Sequence, residues 1–170
     1  MSNQSFPGSQ SAKAPAADGL PTARVLNAAV AGAGLMGYWH AQAIERAGGR
    51  VLAVIDRDPG AAQRLAARLP QGAQGRVQAW PSLDAAIKEQ ALDVLHVCTP
   101  TTTHAALAGE GLAAGLHVLV EKPLAPTAGE TGRLLQLAAA HGRLLCPVHQ
   151  FVFQPGVQEA GRRLSSLGQL

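Results

Sequence analysis

Gly32-Ala33-Gly34-Leu35-Met36-Gly37 follows an apolar run, Val25 to Ala31, and precedes Tyr38 to Ile44, where apolar residues recur at helical spacing. A second apolar run, Val51 to Ile55, comes next, and Asp56 stands at its end, 19 residues past Gly37. Strand, glycine turn, helix, strand and acid in that order form the fingerprint of a dinucleotide-binding βαβ unit. Gly makes up 19 of 170 residues, so a bare G-x-G-x-x-G arises by chance about 0.2 times in such a chain. The weight therefore rests on the flanking elements and the acid. Gly32 permits the tight turn, Gly34 lets backbone approach a pyrophosphate, and Gly37 lets the helix lie close on the strand. The N–H groups that open the helix at Leu35 and Met36 face the phosphates. Asp56 can accept hydrogen bonds from a ribose diol. It favours a free 2′-hydroxyl, so NAD is expected; Arg57 beside it could pair with a 2′-phosphate, which leaves NADP open.

Composition narrows the class. Hydrophobic residues are 47% of the chain and charged ones 15%, which suits a buried α/β sheet and a sizeable core. The net charge is +3, with no basic run and no interleaved aromatic cluster, so no nucleic-acid partner is expected. No apolar stretch approaches the ~20 residues that span a bilayer. Residues 1–23 lack the basic start and apolar core of a signal peptide; rich in Ser, Gln, Ala, Pro and Gly, they read as a disordered leader. A cytoplasmic location is the resulting expectation. Cys98 and Cys146 lie in apolar strand-like runs without metal-ligand spacing, so both read as buried reduced thiols and no metal is expected.

From residue 24 onward strand and helix patterns alternate, as in a doubly wound parallel α/β sheet of Rossmann type forming one domain over 24–170. Helices are expected over Pro59–Leu69, from Ser82 to Gln90, over Thr101–Gly115, from the capping box Thr127–Glu130 to about His141, and over Pro155 to about Ser166. Residues 71–75 read as a loop. Strands are expected over Val77–Trp80, Asp93–Cys98, Leu116–Val120 and Leu144–Phe153, the last at a sheet edge because of Pro147.

Two further segments sit at strand carboxyl ends, where open α/β sheets hold their ligands. One is Cys98-Thr99-Pro100-Thr-Thr-Thr-His104. The other is Glu121-Lys122-Pro123, and Lys122 is the one lysine of three at such a position. An ammonium there can hydrogen-bond a substrate hydroxyl or stabilise the oxygen whose charge changes as hydride leaves its carbon. Pro123 restricts Lys122 to extended backbone, and Glu121 should then point the other way.

Gly32–Gly37, Val97–His104 and Gly115–Leu124, in that order, resemble the glucose-fructose oxidoreductase / inositol dehydrogenase / rhizopine-catabolism (Gfo/Idh/MocA) family over about residues 24–170. The resemblance implies a nicotinamide dinucleotide and hydride transfer with a sugar, cyclitol or related hydroxyl. It also implies that the glycines and Asp56 bind the adenosine half of the cofactor. Thr99, Pro100 and His104 would line the nicotinamide half, with Cys98 also a cofactor contact; Glu121 would stand with the cofactor near the reacting carbon, and Lys122 would be the catalytic group there. Two family features are missing. None of the six His lies four residues after an Asp, and the usual R-F-x-P segment reads Val152-Phe-Gln-Pro155. A second, substrate-binding domain is thus expected to be absent, with a homo-oligomer possible. A dinucleotide-binding module or sensor without turnover is the alternative reading.

Overall fold

The computed structural model describes residues 24–70 and 76–166. The expected leader and the loop at 71–75 lie outside the described residues. Among the described residues short apolar runs form six strands: β1 (Asn27–Ala31), β2 (Arg50–Ile55), β3 (Gln78–Trp80), β4 (Val94–Val97), β5 (His117–Val120) and β6 (Leu145–Pro147). The helices are α1 (Leu35–Arg46), α2 (Pro59–Arg68), α3 (Leu83–Glu89), α4 (His104–Ala113), α5 (Ala128–Ala140) and α6 (Pro155–Ser166). The strands make one parallel sheet in the order β3-β2-β1-β4-β5-β6. The chain works outward from β1 to one edge, then crosses back to place β4 on the other side of β1. That reversal opens a crevice beyond the carboxyl ends of β1 and β4, where doubly wound sheets bind ligands.

Alternation along the strands builds a core on each face. Val30, Val51 and Val54 pack under Ala41 and Ile44 of α1 and Leu65 of α2. Leu95, Val97, Val118 and Val120 pack under Leu83 of α3, Leu112 of α4 and Leu134 of α5. Leu83, Leu95 and Leu112 are wholly buried, each worth about 1.5–3 kcal/mol of hydrophobic stabilisation. Three helix starts carry side-chain caps, those at Ser82 and Thr127 as expected from sequence. Asp58 accepts from the Gly60 amide, Ser82 from that of Ala85, and Thr127 and Glu130 form a reciprocal capping box.

The sheet departs from the sequence reading at its last strand. β6 was expected to run to Phe153 but stops at Pro147, and Gln150–Phe153 form a 3-10 turn. The reason is its neighbour. β5 ends at Val120, whose carbonyl takes the last ladder bond from Val148 N at 2.8 Å; beyond it an edge strand has nothing to pair with. Cys146 is exposed rather than buried, because it lies on a three-residue edge strand on the face opposite Leu145, which packs against the core of α3, α4 and α5. Phe151, Val152 and Phe153 are also exposed.

Gly37 fixes how closely α1 lies on the sheet. A Cβ there would sit 1.8 Å from the Gly32 carbonyl oxygen, which no rotamer relieves. Gly37→Ala is expected to cost at least about 3 kcal/mol in urea denaturation, whereas Gly34→Ala, with nothing within 4 Å of its added carbon, should stay within about 1 kcal/mol of the parent.

Candidate functional site

β1 ends in Ala31, and the chain turns at once. Gly32 takes φ +101°, and a side chain there would strike the Cys98 carbonyl group at 2.7 Å, so only glycine suits both the conformation and the space. Its amide donates to the Ile55 carbonyl at 2.8 Å, and Cys98 N donates to Ala31 O at 2.7 Å. The turn is thus tied to the ends of β2 and β4. Gly34 then opens α1 with no side-chain cap and no acid in the first turn. The side-chain acceptors that satisfy first-turn amides in α2, α3 and α5 are missing here, so those N–H groups remain for an anion.

Asp56 leaves β2 beside this turn. Its Oδ2 accepts the Ala33 amide at 2.8 Å and its Oδ1 the Asp58 amide at 2.9 Å. Two backbone donors hold the carboxylate in place and leave further lone pairs for a ligand.

These groups face one cavity of about 770 Å³, a size suited to a cofactor or small ligand. Gly32, Gly34, Leu35 and Met36 line it from the turn, Asp56 and Arg57 from the end of β2, and Cys98, Thr99 and Pro100 from the end of β4. Nine of the residues singled out from sequence therefore share one wall system. The cavity has further lining that the sequence reading missed: Pro81, Ser82 and Leu83 after β3, Thr103 just before α4, and Ala106, Leu107 and Glu110 on α4. The spacing of the α4 set, one helical face over two turns, was the available signal. Cys98 is held protonated, its thiol pushed far up by burial and then by the nearby Glu121 charge, so the wall at Cys98, Thr99 and Pro100 carries no charge.

The remaining four lie outside the cavity lining. Gly37 is beneath the turn. His104 is 1% exposed, with Nδ1 2.7 Å from Pro123 O and Nε2 2.8 Å from Thr99 O; both ring nitrogens face backbone carbonyls. Glu121 is buried as well, while Lys122 is exposed past the end of β5. The two side chains thus part, one inward and the other to solvent. Glu121 Oε1 meets His40 Nε2 at 3.1 Å, and His40 Nδ1 meets His96 Nδ1 at 3.0 Å. Burial, then His40, brings the His96 pKa down to about 4, so this ring is neutral at pH 7. Neither the His40 nor the His96 contact was visible in sequence, because it joins α1, β4 and the end of β5.

Residues 26–149 match the oxidoreductase family with an NAD-binding Rossmann fold, Gfo/Idh/MocA. The chain belongs to this family. It carries the family's NAD-binding domain, and the open space over Gly34 fits the cofactor's pyrophosphate, the part that binds at a helix N-terminus. The inositol 2-dehydrogenase of Leifsonia xyli is 40% identical over 120 residues, 69% of this chain and 34% of that protein. The UDP-N-acetylglucosamine 3-dehydrogenase of Acidithiobacillus ferrooxidans is 34% identical over 132 residues, 76% and 38% of the two chains. Among solved structures, GenD2 from gentamicin A biosynthesis in complex with NAD superposes with a TM-score of 0.69 at 34% identity, covering 81% of this chain and 38% of that one. The WlbA dehydrogenase of Bordetella pertussis shares the fold, with a TM-score of 0.77 at 23% identity, over 86% and 41% of the two chains. The chain spans about a third of the length of the curated relatives it matches. Among the described residues, no helix is long and apolar enough to cross a membrane.

Gly34 separates binding from folding. Gly34→Val should fold normally and weaken NAD binding at least about tenfold, or 1.4 kcal/mol, in a calorimetric titration.

Proposed function

We propose that this domain holds NAD for hydride transfer between the nicotinamide and a carbinol carbon of a sugar or cyclitol-like substrate. The observation that carries this reading is the cavity over Gly34, rimmed by the Asp56 carboxylate held on two amides. Gly34 and the first turn of α1 would hold the pyrophosphate, and Asp56 would accept from the adenosine ribose diol. Leu35, Met36 and Arg57 border this half, while Cys98, Thr99 and Pro100 wall the nicotinamide half with an uncharged surface. When bound, the nicotinamide accepts or returns a hydride at C4. The names of the relatives, dehydrogenases of inositol and of a nucleotide sugar, support polyhydroxylated substrates.

Lys122 is proposed as the catalytic group. It leaves β5 at the same edge of the sheet as Gly34 and Thr99, and its ammonium favours alkoxide-like charge on the substrate oxygen as hydride departs. His104 and Glu121 act on this centre without forming the cavity wall. A carboxylate at Asp56 repels a 2′-phosphate, which favours NAD over NADP.

Two measurements test the reading. Calorimetry should find NAD the tighter ligand, and NADP binding more tightly would reverse the cofactor preference. In an active form containing this domain, Lys122→Ala should leave NAD affinity within about threefold while cutting kcat ~10²-fold or more. Loss of cofactor with kcat retained would make Lys122 a phosphate or ribose contact instead.

A further inference from the structure

Among the described residues, the buried polar or charged side chains are His40, His104 and Glu121. They come from α1, from the start of α4 and from the end of β5, yet all three converge on one exposed residue, Lys122. A buried polar group costs free energy unless it is hydrogen-bonded, so three around one short segment require an account.

The contacts fall on both neighbours of Lys122. On its amino side, Glu121 turns inward; its Oε2 accepts the Lys122 amide at 3.1 Å and its Oε1 meets His40 Nε2 at 3.1 Å. On its carboxyl side, the Pro123 carbonyl oxygen lies 2.7 Å from His104 Nδ1. Each histidine is anchored in turn. His40 rests on His96 of β4 at 3.0 Å, and His104 Nε2 reaches the Thr99 carbonyl at 2.8 Å. Given suitable tautomers of His40 and His96, one arrangement gives every contact on the amino side a donor and an acceptor. His96 Nδ1–H donates to His40 Nδ1, His40 Nε2–H to Glu121 Oε1, and Lys122 N–H to Glu121 Oε2.

We propose that His40 and His104 are positioning residues for Lys122, holding Glu121 and Pro123 from opposite sides so that the lysine projects from a fixed backbone. The two anchors differ in origin. His40 sits on the helix that opens at Gly34, and His104 on the helix that follows the cavity wall at Thr99. The bracket therefore references the lysine to both halves of the nucleotide cavity, and a small misplacement of a reacting group is costly in rate. This inference rests on Lys122 being the catalytic group, as proposed above.

Amide hydrogen exchange by NMR on the 170-residue chain tests the bracket without needing turnover. The Lys122 amide is the reporter, with the Cys98 and Glu121 amides of the sheet as internal reference. His40→Leu and His104→Leu should each lower protection at Lys122 about tenfold relative to the reference amides. His40→Gln, which keeps a donor within reach of Glu121, and His104→Asn, which keeps one within reach of Pro123 O, should hold it within about threefold of the parent. Unchanged protection at Lys122 in both leucine variants would overturn the proposal. So would an equal fall at all three amides in both the leucine and the conservative variants, since that marks a packing role. In an active form, the leucine variants should lower kcat about tenfold with NAD affinity within threefold, and the conservative variants should restore it. Should Lys122→Ala leave kcat untouched while the exchange pattern holds, the catalytic reading of the lysine fails and the bracket stands.

Discussion

The approach of α1 to β1 is the constraint on which the rest of the molecule depends. With no Cβ at Gly37, the helix comes near enough to the Gly32 carbonyl for its first turn to stand directly over the end of β1. That closeness puts His40 within reach of β4 and of the end of β5. It also places the uncapped amides beside Asp56. A helix held even an ångström farther off would lose the sheet packing of Ala41 and Ile44 together with both polar connections.

Local signals carried most of the architecture. The glycine turn, the acid after β2, the caps at Ser82 and Thr127 and the apolar runs each speak through residues close in sequence, and each is found in the structure. The end of β6 was not legible, because a strand's length is set by its partner. Nothing in Val148–Phe153 announces that β5 has already finished at Val120. The exposure of Cys146 escaped for a related reason: an apolar strand pattern does not say whether a helix covers each face.

The site divides along the same line. Residues of the turn and of the strand ends could be named because the position of a strand end is a local property. For α4 the sequence offered only the shared helical face of Leu107 and Glu110; that this face meets the crevice depends on how the helix leans over it. His104 shows the limit from the other side. Its place after Thr-Pro was legible, but the direction of its ring was not, and the ring turns inward to two carbonyl groups rather than out to the cavity. Buried polar networks join elements far apart in the chain, so sequence spacing carries little trace of them.

The bond from the Ala33 amide to Asp56 gives one carboxylate two duties. It helps set the shape of the loop that faces the phosphates, and it borders the place where a ribose would be read. A lineage drifting toward a phosphorylated cofactor cannot discard this acid for a small or basic residue without also disturbing the loop. The accessible evolutionary routes keep a neutral acceptor at the position, or change the loop at the same time. Preference between the two nicotinamide cofactors is in this sense tied to backbone architecture, and is less free to vary than a single surface side chain would suggest.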